Sequence, residues 1–521
     1  MTTAGSIARS GLIVGSAFAL GRILGWARVV VIGTTFGASA DLDSFFAAFR
    51  IPDLIFQLVA AGALASALLP TLTVLIAEDR REQAWRVASS VGNALLGSLL
   101  VLAVLAFLAA PWFVPIITPG FSPEQMSLTV DLTRIMLVSP ILLATSSVVQ
   151  AVLNANGRFA ASVIAPLVYN LAIILAALLV APSMGVYGLA IGVVAGSACH
   201  LLVLIRPVRR CGFRWSSALD LRDPLVSRVL VLLAPRVVGL ASNQLMFVVA
   251  TALATGVGIG AVSAFSIAFS LFQIPIGVIA LPIGIVLLPS LSQSVAREEH
   301  DRYGQVVTQA LRFILWFALP LSAVIVVLAP ELVTLLFGYG RFDATAIAST
   351  AAVLALLAPA IASESLLAVL ARAFYARLDT LTPVIAAVMA VVIDIGLSVV
   401  LVGRVGLGGI SIAIVVGSWI EAAYLVLLLE RRGGLELAPL VRTGATSLLL
   451  AVGGGAVAAV IAHGPLGLDT GSSRLLLLAV VAAASGIPAL LYLGISRAVR
   501  APELAVLVRL LSQGLRRGLQ E

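Results

Sequence analysis

The sequence predicts an all-α polytopic membrane protein with 14 transmembrane helices: two six-helix lobes related by a parallel repeat, plus two extra C-terminal helices. Three observations predict it. The 521-residue chain is 61% hydrophobic and only 11% charged, where soluble domains carry about 25% charge. Its apolar runs reach the ~20 residues that a helix needs to cross a bilayer. Prolines recur at one constant offset between the two halves. The alternation of polar and apolar residues that marks a spanning β-barrel is absent.

Polar breaks delimit spans near 7–35, 43–77, 85–113, 129–155, 159–181, 185–205, 226–256, 260–292, 304–337, 344–376, 380–402, 408–430, 440–463 and 473–497. These define an N-terminal lobe at 1–206, a cytoplasmic linker at 207–225, a C-terminal lobe at 226–432, spans 13 and 14 within 433–498, and a tail at 499–521. An even number of spans puts both termini on one side. The connections "AEDRREQAWR", "NANGRF", "RPVRRCGFRW", "AREEHDRYG", "ARLDT" and "ERRGG" hold most of the loop arginines. On the opposite side only Arg341, Arg404 and Arg474 interrupt arginine-free loops. The positive-inside rule then places the termini in the cytoplasm. The tail separates its apolar and arginine faces at helical spacing, as a helix lying on the membrane surface would. The first apolar run is too long for a cleavable signal.

Composition also excludes function classes. The formal charge of +8 comes with no lysine at all, and a basic excess in such a chain reports topology and anionic lipid rather than nucleic acid. Cys199 and Cys211 fit no disulfide or metal pattern, and the three histidines are scattered. There is no P-loop and no catalytic constellation. The expectation is a transporter rather than an enzyme, with no cofactor, driven by the membrane potential or by a gradient of Na⁺, H⁺ or the substrate itself.

The repeat is carried by prolines. "LLPTLTVLIA" and "LLPSLSQSVA" place Pro70 and Pro289 at an offset of 219, and the same 219 relates Pro111 to Pro330 and Pro140 to Pro359. Arg158 and Arg377 share it. The offset spans six helices, so the halves have the same orientation. A substrate site is expected between such halves. Spans 13 and 14 lie outside the repeat.

A charge at the bilayer centre costs about 2.5–3.5 kcal/mol on insertion scales, so each one asks for a function. Arg22 sits near the middle of span 1, and Arg28 lies further out. Span 2 carries Asp43, Arg50, Asp53 and Gln57, with Arg50 and Asp53 at i and i+3 and Pro52 between them. Span 7 adds Arg236, Asn243 and Gln244. This set reads either as a structural ion-pair cluster or as a hydrated, net-positive cavity for an anion. Arginine's planar donor fork suits phosphate. In the other half, Asp394 with Ser398 at i+4, and Glu421 on span 12, offer hard oxygens for a monovalent cation or a proton relay. The competing reading of Asp394 is a protonated carboxyl that only joins helices. Glu364 is expected to pair with Arg372 or a neighbouring span. Gln150, Asn154, Asn156 and Asn170 read as interhelical hydrogen-bond partners.

"GRILGWARVVVIGTTFGASADLDSFFAAFRIPDL", followed by "GALASALLPTL", resembles the N-terminal signature of the MurJ (MviN) lipid II flippase family. "LLPSLS" and "YARLDTLTPV" are also similar to the family. The resemblance implies a two-lobed exporter fold with a V-shaped cavity and alternating access. It implies flipping of an undecaprenyl-pyrophosphate-linked disaccharide-pentapeptide across a bacterial plasma membrane, with membrane lipids and cell-wall synthesis or division proteins as partners. It implies a groove for the lipid tail at spans 13 and 14. Arg22 and Arg28 match the family's cavity arginines, Asp43 matches its span-2 aspartate, and Asp394 with Ser398 lies where some members hold sodium. Three positions depart: Val29 replaces an acid, and Phe56 and Ser270 stand where arginines are usual. These departures leave two alternatives open, export of another polyprenyl-linked oligosaccharide or amphiphile, and a transport-dead membrane scaffold.

Overall fold

The computed structural model describes residues 4–59, 63–464 and 473–508, with side chains throughout except at 4–19, 58–59, 63–67, 232–243, 281–282 and 285–286. Among the described residues every regular element is helical. Ten helices are long and apolar enough to cross a membrane, or eleven if one bent pair counts as a single span. The other three expected spans coincide with the helix Ala4–Phe36, with the helices Ala40–Val59 and Ala63–Ala77, and with the helix Pro224–Thr255, in which some side chains lie outside the described set.

The chain forms two compact units, Met1–Ser263 with Gly340–Phe342, and Ala264–Tyr339 with Asp343–Glu521. The first contains α1 (Ala4–Phe36), α2 (Ala40–Val59), α3 (Ala63–Ala77), α4 (Arg81–Ile117), α5 (Pro123–Met136), α6 (Val138–Ala155), α7 (Phe159–Leu175), α8 (Ala181–Met184), α9 (Val186–Arg209) and α10 (Pro224–Thr255). From α11 (Ala261–Ala296) the chain passes into the second unit, with α12 (His300–Phe337), α13 (Ala344–Leu357), α14 (Ala360–Ala376), α15 (Leu381–Val405), α16 (Leu407–Arg431), α17 (Leu437–His463) and α18 (Arg474–Ala498). Helix α10, expected to open the second lobe, packs instead on α2, α3 and α4.

The repeat is visible in the backbone. Shifted by 219 residues, α4 (Arg81–Ile117) falls on α12 (His300–Phe337). Two acidic residues separated by that same offset, Asp79 (φ 59°) and Glu298 (φ 58°), adopt the left-handed conformation that few L-residues take. Each closes a helix with matching six-to-one bonds, Arg80 N to Leu75 O at 2.8 Å and Glu299 N to Ser294 O at 2.9 Å. Gly185 (φ 57°) and Gly406 (φ 58°) likewise open α9 and α16 in one shared geometry. The proline pair Pro140 and Pro359 marks helix breaks in both halves: α5 gives way to α6 near Pro140, and α13 meets α14 at 47° beside Pro359.

The segment between α9 and α10 is strapped to α4. Asn93 is the buckle. Its Nδ2 donates to Ser216 O (2.8 Å) and Ala218 O (2.7 Å), and its Oδ1 accepts from Trp215 Nε1 (2.8 Å). Ser89 Oγ and Ser90 Oγ accept from the backbone N–H groups of Ser216 and Asp220. Trp215 sits against Gly92, where a Cβ would collide with its ring. Phe213 sits edge-on to both Trp85 and Trp215. In the second unit α17 and α18 are fastened to α12: Tyr492 Oη donates to Trp316 O (2.8 Å), and Trp316 Nε1 donates to Ser496 Oγ (3.1 Å).

The strap makes a prediction. Gly92→Leu should eject Trp215 and expose the segment to trypsin at Arg214 and Arg222. Limited proteolysis should cut the variant roughly tenfold faster, because cleavage follows the population of the locally open form.

Candidate functional site

Helix α1 reaches α7 through two glycines one turn apart. Gly21 faces Leu167 and Gly25 faces Asn170, a small-residue spacing that lets helix backbones approach closely. That approach carries Arg28 to Tyr169, with its guanidinium carbon 5.8 Å from the ring centroid. Arg22 lies on an exposed part of α1, between exposed Leu20 and Ile23.

On α2, Arg50 points toward α10. Its Nε donates to Thr251 Oγ1 at 3.0 Å, and its guanidinium stands 5.3 Å from the Phe247 ring. Asp53 lies between the two cations. It feels the charges of Arg50 and Arg28 and shares side-chain hydrogen bonds with Gln57 and Gln244. Among the described residues, helices α1, α2, α7 and α10 therefore assemble one polar cluster, which holds Arg28, Arg50 and Asp53. Four of its members were expected on α1 and α2 (Arg28, Arg50, Asp53, Gln57), and Gln244 on α10. Tyr169, Phe247 and Thr251 were missed. The signal for two of them was the helix period: 244, 247 and 251 share one face of α10. Arg236 and Asn243 are on the same helix, but their side chains lie outside the described residues.

Asp43, expected with this group, is placed apart from it. The side chain is fully buried and saturated: Oδ2 accepts from Gly260 N (2.6 Å), and Oδ1 from Ser263 N (2.7 Å) and Ser263 Oγ (2.6 Å). Two of these donors are otherwise unpaired backbone N–H groups at the start of α11, and the third is the Ser263 hydroxyl. A carboxylate from α2 thus caps a helix 217 residues away, where the helix dipole favours negative charge.

The expected cation site is assembled in part. Asp394 on α15 is seated against Gly417 of α16, where any Cβ would collide with Oδ1. Asp394 Oδ1 and Ser398 Oγ are buried with no hydrogen-bond partner among the described residues. Glu364 and Glu421 act on Asp394 as nearby like charges. No trio of acids, cysteines or histidines comes within metal-binding reach of one another among the described residues, and no ion pair joins Glu364 to Arg372 there. The arrangement offers a lone cation or a proton two unsatisfied oxygens.

A third feature is apolar. A cavity of about 580 Å³ opens among α12, α14, α16 and α17, lined by Leu319, Val326, Leu366, Trp419, Leu440 and Leu448 among others. Its walls bear almost no polar group, as an acyl or prenyl chain requires.

The family profile described as "Lipid II flippase MurJ" matches residues 32–477. The chain belongs to the MurJ lipid II flippase family. A Burkholderia cenocepacia relative named "Lipid II flippase MurJ" is 30% identical over 81% of this chain and 83% of its own. A "Probable lipid II flippase MurJ" from Treponema pallidum is 28% identical over 85% of each. Among solved structures, "Lipid II flippase MurJ, inward closed conformation" covers 94% of this chain and 99% of its own, at TM-score 0.78 and 20% identity. An inward-facing multidrug MATE transporter of the MOP superfamily covers 80% of this chain and 94% of its own, at TM-score 0.65 and 18% identity. At these identities the two structures show the fold. Phe56 rests against the apolar core of the first unit, and the Ser270 hydroxyl turns back to Ser266 O at 2.8 Å.

Asp43→Ala should leave three donors at the start of α11 without their acceptor and lower stability by about 2 kcal/mol. Ser263→Ala, which keeps both backbone donors, should cost less than half of that. Thermal unfolding midpoints of the purified variants in detergent check the ranking, and an equal loss for both would contradict it.

Proposed function

We propose that this chain flips lipid II, an undecaprenyl-pyrophosphate-linked peptidoglycan precursor, from the inner to the outer leaflet of a bacterial plasma membrane. Its termini lie in the cytoplasm, by the arginine bias of the loops. The observation that carries the reading is the net-positive cluster of Arg28, Arg50 and Asp53 across α1, α2 and α10. Family membership supports the same substrate.

The residues work as follows. A pyrophosphate entering the cluster meets two guanidinium forks, joined by Arg22 further along α1. The partial neutralisation of Arg28 and Arg50 by Asp53 keeps them charged and oriented while the site is empty. Phosphate oxygens then displace the carboxylate's influence, with bidentate geometry in place of a diffuse attraction. The lobes at 1–206 and 226–432 rock to expose the headgroup on alternate sides. The prenyl chain stays in apolar surroundings, for which the groove beside α17 is suited.

Coupling is assigned to Asp394 and Ser398, with Glu421 as the neighbouring charge. A Na⁺ or H⁺ binding there offsets the repulsion among three acids. Asp394→Asn should leave lipid II binding intact while removing any dependence of flipping on the ion gradient, read in proteoliposomes with imposed Na⁺ or pH gradients.

The decisive test is rescue of cells depleted of their own lipid II flippase. The wild-type chain should restore growth, and Arg22→Ala or Arg28→Ala should abolish rescue at equal expression. Normal growth with either variant would overturn the assignment. A second reading, export of another polyprenyl-linked oligosaccharide, has Phe56 and Ser270 in its favour. It predicts that the wild-type chain itself fails to rescue.

A further inference from the structure

The proposed function does not account for an ion pair beside the apolar groove, in which the carboxylate is buried and the guanidinium is partly exposed. Arg312 lies on α12 one turn before Leu315, and Leu315, Leu319, Ser322 and Val326 line the groove from that same face. Thr443 lies on α17 between two other lining residues, Leu440 and Gly444. After α18 the chain reverses at Arg500 (φ 52°) and brings Glu503 back to this spot. One carboxylate oxygen, Glu503 Oε1, collects three donors: Arg312 Nη2 at 2.7 Å, Arg312 Nε at 2.8 Å and Thr443 Oγ1 at 3.2 Å. Arg312 Nε also donates to Thr443 Oγ1 at 2.9 Å. Only 5% of Glu503 is exposed.

A guanidinium fork beside a hydroxyl, next to residues that line an apolar groove, has the donor set that suits a phosphate, and here it holds a carboxylate from the tail. The pair is poorly explained as a fastening. Buried ion pairs return little net stability for the desolvation they cost, and α18 is already held by Tyr492, Trp316 and Ser496. We propose that Glu503 is a displaceable internal counter-ion, and that the phosphate of a polyprenyl lipid lying in the groove exchanges with it at Arg312 and Thr443. The tail segment after α18 is thereby a latch that a bound lipid opens. This rests on the reading that the groove takes a prenyl chain.

The test uses the full chain in detergent, titrated with undecaprenyl phosphate, with the phosphate-free polyprenol, or with inorganic phosphate, and read by native mass spectrometry. An internal competitor that holds the site nine-tenths of the time weakens apparent affinity about tenfold. Glu503→Gln should therefore bind undecaprenyl phosphate about tenfold more tightly and polyprenol no differently. Arg312→Gln should lose the advantage of the phosphate, and Glu503→Gln should add nothing on that background. On the unmodified protein, undecaprenyl phosphate should speed hydrogen–deuterium exchange across 500–508, and inorganic phosphate alone should not. Unchanged or weaker binding by Glu503→Gln overturns the latch. So does an equal gain for polyprenol, an unaltered tail exchange, or tail release by inorganic phosphate alone. None of these outcomes touches rescue by the Arg22 and Arg28 residues, so the two proposals fail separately.

Discussion

Holding arginine inside an apolar bundle is the constraint around which the first unit is organised. A guanidinium does not give up its proton, so it must be paired, hydrated or stacked. The chain does this with few groups. Gly21 and Gly25 bring α1 close enough to α7 for Arg28 to meet Tyr169. Thr251 and Phe247 bring α10 to Arg50. Asp53 serves both cations. Among the described residues one carboxylate stands between two arginines, and the proposed anion site rests on that arrangement.

The placement of α10 follows from the same need. Its packing on α2, α3 and α4 puts Gln244, Phe247 and Thr251 against the charges of span 2. The strap through Asn93 and Trp215 holds the preceding segment on α4, so α10 starts from a fixed point. The second unit uses polar groups differently. Asp394 is tucked against a glycine, and its Oδ1 has no hydrogen-bond partner among the described residues, whereas Asp379 accepts from Thr382 N (3.0 Å) and Oγ1 (2.7 Å) and from Arg432 Nη1 (2.7 Å). Burial opposes ionisation of Asp379, but these bonds outweigh it and hold its pKa down at about 2.

The fold class and the repeat were legible because each leaves a one-dimensional trace. Spans need long apolar runs, and prolines at a constant offset survive in a sequence otherwise full of interchangeable alanines and leucines. Even the left-handed turns at Asp79 and Glu298 keep the offset, though acids gave no hint of that conformation. The cluster was legible on α1 and α2, where charge is anomalous against the bilayer. Its α10 half was legible only at Gln244, since a threonine and a phenylalanine in a span are ordinary. The role of Asp43 was not legible. A cap donated across 217 residues has no local signature, and its partners are backbone N–H groups that every sequence carries. The clustering of Arg312, Thr443 and Glu503 was hidden for the same reason: each is unremarkable alone, and only the fold brings them together.

Selectivity for the second phosphate measures the central claim most directly. Two guanidiniums sharing one carboxylate should favour a lipid pyrophosphate over the matching monophosphate, because the second phosphate occupies the charge that Asp53 leaves unbalanced. Binding of lipid II and of its monophosphate analogue to the purified chain gives that ratio, and the same measurement on Arg28→Ala tests its source. A preference of about tenfold or more in the wild type that collapses toward unity in the variant is the expected result. An equal preference in both proteins would show that the arginine cluster holds helices together and does not read the headgroup.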